Sequence, residues 1–178
     1  MTEHLTFDTQ TEQKGGKDVS MKMSSQTQKS WQAYLATLHH PEEASNRFYD
    51  VFGIGNTVES KNEGARLILA GKKTTTSGLL WDEDFAENGL PTVGALSVLE
   101  DGHGKAVCIV ETIAVETKPF SAVDEQFARD YGEWGDTLES WREHAWAYYA
   151  SACKQLGKDA DEDMPLVCER FRVVHQFA

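Results

Sequence analysis

The chain has 178 residues, 40% of them hydrophobic and 26% charged, enough for one domain with a full core. Its formal charge of -12 excludes duplex DNA as a partner, because a protein that grips a long phosphate backbone carries a basic face. A nucleic-acid ligand would have to be a nucleoside or a short single strand held in a small pocket. No apolar run approaches the ~20 residues that a bilayer-spanning helix needs, so no membrane partner is expected.

Residues 1–30 are rich in Thr, Gln, Ser and Lys and poor in aliphatics, which predicts a disordered tail ahead of a single domain over 31–178. The opening residues lack the basic start and apolar stretch of a secretory signal, so a cytoplasmic location is expected. Cys108, Cys153 and Cys168 are odd in number and far apart, and read as buried reduced thiols.

From Ser30 onward, Trp31, Tyr34, Leu35 and Leu38 recur at helical spacing, and Pro41 opens a second short segment. Phe48 to Gly53 reads as extended. The next helix is signalled by Ser60 and Glu63 at capping-box spacing, by Ala65, Ile68 and Leu69 on one face, and by Gly71 as its left-handed stop. Strands are expected over Thr74 to Trp81, Gly94 to Leu99 and Lys105 to Val115, the last two joined by the turn Asp101-Gly102-His103-Gly104. A helix from Ser121 to Asp130, N-capped by Ser121, precedes the loop Tyr131-Gly132-Glu133-Trp134-Gly135. The longest helix is expected from Asp136 to Gly157, with Leu138, Trp141, Ala145, Tyr148, Ala152 and Leu156 as its buried stripe. A strand from Leu166 to Val174 closes the chain. Strands and helices do not alternate as in parallel βαβ units, so the fold class is α+β: a small curved antiparallel or mixed β-barrel flanked by helices.

Four segments in this order, ILAGKKTTT, PTVGALSVLEDGHGKAVCIVET, FSAVDEQFARDYGEWGDTLESWREH and VCERFRVV, resemble the longer bacterial branch of the ASCH domain family, from about residue 48 to the end. The family's G-x-K-x-x-[E/T] signature falls on Gly71, Lys73 and Thr76. The resemblance implies a PUA-like fold with a ligand cleft against Gly71 to Thr76, and RNA or a modified nucleoside as partner. It also implies either hydrolysis, of amidohydrolase or ribonuclease type, or binding without chemistry. The pattern departs at Tyr131, where related sequences carry an acid ahead of Gly-Glu-Gly-Asp; Glu133 stands two residues away.

A lysine beside a hydroxyl and a carboxylate can activate a nucleophile, which makes Lys73, Thr76 and Glu133 the catalytic candidates. Residues three apart point to opposite faces of a regular strand, so Lys73 and Thr76 converge only if the turn after Gly71 persists; otherwise Thr75 is the better partner. Glu111 is a fourth candidate, because strand alternation puts it on one face with Val107, Ile109 and Ile113. It reads either as a cleft acid or as a rim acid held by Arg170 or Arg172. Arg142 and Arg170 are candidates for phosphate or carboxylate binding, with local acids as the competing partners, and Tyr131 and Trp134 are candidates for stacking a base. No carboxylate–histidine cluster has metal-ligand spacing, and neither a metal nor another cofactor is expected.

Overall fold

The computed structural model describes residues 23–178, so the predicted tail lies outside the described residues up to position 22. The elements run α1 (Ser25–Leu35), α2 (Pro41–Asn46), β1 (Phe48–Phe52), α3 (Val58–Leu69), β2 (Thr75–Leu79), α4 (Glu83–Asn88), β3 (Leu96–Glu100), β4 (Ala106–Pro119), a 3-10 turn (Phe120–Ala122), α5 (Glu125–Tyr131), α6 (Leu138–Gln155) and β5 (Pro165–Gln176).

The strands form one sheet in the order β1-β3-β4-β5-β2, antiparallel except for the parallel pair β1 and β3. The expected barrel is not closed, because β1 and β2 are the sheet's two edges and do not pair. Curvature comes from β4, whose register against β5 shifts at Ile109/Val110 and again at Thr112/Ala114. Such bulges bend a strand and increase its twist, so the sheet curls until its edges face each other across a gap.

Several boundaries differ from the sequence reading, each for a local reason. Helix α1 starts at Ser25, within the segment expected to be disordered, because the Ser24 hydroxyl caps the Thr27 amide and buried Trp31 and Leu35 anchor the helix. The capping box of α3 is Thr57 with Ser60, not Ser60 with Glu63. Asp124 rather than Ser121 caps α5, and Thr137 rather than Asp136 caps α6. The buried stripe of α6 is Trp141, Ala145, Tyr149 and Cys153, a strict i+4 series, so Tyr148 rotates out to 59% exposure. Helix α4 was not anticipated; Asp82 caps it, and Phe85 from it packs over Gly78.

Three apolar clusters hold these elements on the sheet. Trp31 and Leu35 of α1 meet Leu96, Val98 and Ile109; Ala65 and Ile68 of α3 meet Leu99, Cys108, Val110 and Phe171; Phe127 of α5 and Trp141, Ala145 and Tyr149 of α6 meet Leu79, Leu166 and Cys168. The three cysteines are free and buried, as expected. Among the described residues no helix is long and apolar enough to cross a membrane.

Candidate functional site

The corner between α3 and β2 is a Schellman stop. Gly71, at φ +68°, donates to the Ile68 carbonyl (3.0 Å), and Lys72 donates to the Leu67 carbonyl (2.9 Å). The turn tightens once more as the Lys73 amide reaches the same Leu67 oxygen (3.2 Å), which carries the Lys73 side chain into the interior. There it is completely buried, with Nζ 2.6 Å from Glu133 Oε2, 3.3 Å from the Tyr131 carbonyl oxygen and 3.4 Å above the centre of the Tyr131 ring. Carboxylate, carbonyl and ring face together replace the ammonium's water.

Burial nevertheless lowers the Lys73 pKa to about 8, against the opposing pull of Glu133. The contact between the two segments needs Gly132: at φ +71°, a Cβ there would lie 2.5 Å from the Lys72 carbonyl oxygen. Tyr131, in the place of the expected acid, thus acts as the seat of the lysine, and its buried ring is not a free stacking surface.

Strand β2 then alternates. Thr75 is buried and donates to the Phe127 carbonyl (3.1 Å), which ties β2 to α5. Thr76 projects to the opposite face beside Glu169, its register partner on β5. Ser77 points back toward the helices; its hydroxyl shares a 2.7 Å hydrogen bond with Tyr149 and meets Tyr131. Lys73 and Thr76 therefore do not converge, because the strand is regular from Thr75 onward.

The gap between the sheet edges is a cleft with two adjoining halves that share Phe52, Thr76, Ser77 and Tyr148. One half, of about 390 Å³, lies under the loop from β1 to α3 and is bounded by Tyr131, Glu133 and Trp134. The other, of about 230 Å³, runs over the concave face of the sheet, with Tyr49 and Asp50 on β1, Asp82, Asp84 and Phe85 around α4, and Val167, Glu169 and Phe171 on β5. Glu133, with 18% of its side chain exposed, opens on the first half, while Lys73 lies behind it and lines neither. No lysine, arginine or histidine lines either half among the described residues.

Most of the remaining candidates lie elsewhere. Glu111 is held on the rim by Arg172 (2.6 Å) and Arg47, and the Arg172 hydrogen bond foremost keeps its carboxyl below the usual range. The bulges of β4 break the alternation that had placed it on an apolar cleft face. Arg142 donates to the Ser121 carbonyl (3.0 Å), Arg170 pairs with Asp130 (2.6 Å), and neither lines the cleft. Gly71 and Thr75 support the corner without bordering the cleft. Trp134 does border it, stacked on Tyr131 at 4.6 Å.

The sequence reading missed Phe52, Ser77, Tyr148 and Glu169. For Glu169 the signal was present: it alternates with Val167 and Phe171, and all three line the cleft. The rule applied to Glu111 holds one strand away. No group of three or more His, Cys, Asp or Glu suited to a metal occurs among the described residues.

An open mixed sheet with a helix-to-strand corner over its gap defines a PUA-like α+β protein. Residues 50–175 match the sequence profile of the ASCH domain, and the chain belongs to that family. It is similar to an ASCH domain crystal structure from Lactobacillus crispatus JV V101, with 31% identity and a TM-score of 0.76 over 86% of this chain and 97% of that one. It is also similar to a crystal structure from Enterococcus faecalis V583 assigned to the family DUF984, with 28% identity and a TM-score of 0.71 over 84% and 88% of the two chains. No curated protein matches.

Proposed function

We propose that the cleft between β1 and β2 binds a nucleoside or a ring compound of that size, the smaller of the two ligand classes that the ASCH resemblance implies. The observation that carries this reading is the lining: Asp82, Asp84 and Glu169 border the cleft beside Glu133, whose charge Lys73 balances, and among the described residues no lysine, arginine or histidine lines it. A phosphate 4 Å from one of these carboxylates would meet a repulsion of ~4 kcal/mol at an effective dielectric constant of ~20. A nucleoside brings no such charge, and Phe52 and Tyr148 offer it ring faces.

Titration with nucleosides, their 5′-monophosphates and short RNAs, followed by tryptophan fluorescence with Trp134 as the nearby reporter, tests this. Nucleosides should bind saturably and their monophosphates at least ~10-fold more weakly. RNA binding that is tighter than nucleoside binding and falls steeply with salt would refute the reading.

A second, catalytic reading is favoured by the couple of Glu133 and Lys73. A carboxylate held by a buried ammonium on one side and open to the cleft on the other is placed to take a proton from a water attacking a ligand carbonyl. Thr76 borders the same half, whereas the Ser77 hydroxyl is turned to Tyr149. Glu133→Gln should then bind ligand and release no product; turnover equal to wild type would remove Glu133 from the chemistry.

A further inference from the structure

Glu169 stands on the sheet floor of the smaller half of the cleft, flanked on its strand by Val167 and Phe171, with Thr76 as its cross-strand neighbour. Its Oε1 accepts the Thr112 hydroxyl at 2.6 Å. Among the described residues its Oε2 has no hydrogen-bond partner, yet it is not among the buried polar atoms sealed from solvent, so this oxygen opens on the cavity. Thr112 has spent its only donor on Oε1, and the Tyr49 hydroxyl donates to the Gly89 carbonyl (2.8 Å). The floor therefore presents an acceptor oxygen that neither of these hydroxyls satisfies.

We propose that Glu169 is the specificity-determining residue of the cleft, accepting N–H donors from an amino- or amidino-substituted ring seated between Tyr49, Phe52, Phe85 and Tyr148. The inference rests on the cleft being the ligand site. The physical reason is the asymmetry of buried hydrogen bonding: a ring that turns N–H toward Oε2 completes its shell, whereas one that turns a carbonyl toward it leaves two acceptors facing each other. Burial raises the Glu169 carboxyl above its usual range, which the Thr112 hydrogen bond partly offsets, and a donor from the ligand favours the ionised form further. Asp82 and Asp84 around the same cavity add a field that repels anions and favours cationic amidines.

The test uses fragments small enough for this half alone: 4-aminopyrimidine, 1-methyl-4-pyrimidinone (which has no N–H), benzamidine and benzoate, titrated into wild type and Glu169→Gln by amide NMR shifts. Wild type should prefer the two N–H donors over pyrimidinone and benzoate by at least ~10-fold, and the glutamine variant, whose amide can also donate, should lose the preference for aminopyrimidine over pyrimidinone. Equal preference in both proteins, or no preference in wild type, overturns the proposal. Should the variant fail to fold, the shifts in wild type decide: perturbation centred on Thr76, Thr112 and Glu169 supports it, and perturbation centred on Lys73 and Glu133 overturns it. Fragments that obey the rule while no nucleoside binds would leave the subsite standing and remove the nucleoside reading. Nucleosides that bind without dependence on Glu169 would do the reverse.

Discussion

Replacing Lys73 by methionine keeps the stem in its place and deletes the charge, and the consequence can be worked out against pH. The folded protein holds the Lys73 pKa near 8, against 10.5 for an exposed lysine, through burial that outweighs Glu133. Between those two values the unfolded chain binds a proton at this position that the folded chain does not, so stability rises with pH across the window. The displacement from 10.5 to about 8 corresponds to on the order of 3 kcal/mol. The wild-type curve alone is a poor readout. Burial pushes Cys108 and Cys168 up to about 12, and Tyr131 and Tyr149 are also raised; each of these loses stability as pH climbs past its unfolded value. The difference between wild type and Lys73→Met cancels those groups. The Glu133 carboxylate, which loses its partner in the variant, borders the cleft and can hydrate there. Urea unfolding at intervals from pH 7 to 10.5 should show wild type gaining on the variant by on the order of 3 kcal/mol, most of it above pH 8. A flat difference, or a wild type that loses ground, would mean that Glu133 outweighs burial and that the reasoning about the couple is wrong.

Gly132→Ala should cost more than ~2 kcal/mol in chemical unfolding, because a left-handed backbone and a Cβ 2.5 Å from the Lys72 oxygen are both penalised; a change under ~0.5 kcal/mol would mean that the two segments separate easily. Glu111→Gln should leave every ligand titration unchanged, since its partners Arg47 and Arg172 lie on the rim; loss of binding would return Glu111 to the site. Trp31→Ala should destabilise by ~3–5 kcal/mol, a core-sized loss from a helix that precedes the family match, and a loss under ~1 kcal/mol by urea titration would make α1 an appendage. Tyr148→Ala should weaken ligand binding and leave the melting temperature within ~2 °C, as expected of an exposed ring at the cleft mouth; unchanged affinity would exclude it as a wall.

The local chemistry of this chain was legible because it is written in neighbouring residues. Gly71 stops a helix since a left-handed φ there closes the Schellman hydrogen bonds, and the Asp101 turn joins β3 to β4 since Gly104, at φ +72°, permits the reversal. The GKKTTT corner followed from residue types at the right places in a resembling pattern, whereas the acid stood open between Glu133 and Glu111 until the fold paired Lys73 with Glu133. Tertiary structure alone decided which carboxylate faces the cleft. Two bulges in β4 turned Glu111 to the rim, and curled the sheet so that Glu169, on the next strand, became the floor of a cleft between unpaired edges. It also decided that Lys73 lies behind Glu133 and out of the cleft, because its position depends on how the Tyr131 ring packs against a strand 58 residues away, a contact that no local periodicity encodes. Sequence spacing sets which face a side chain takes within its own element; only the curvature and docking of the elements set what that face meets.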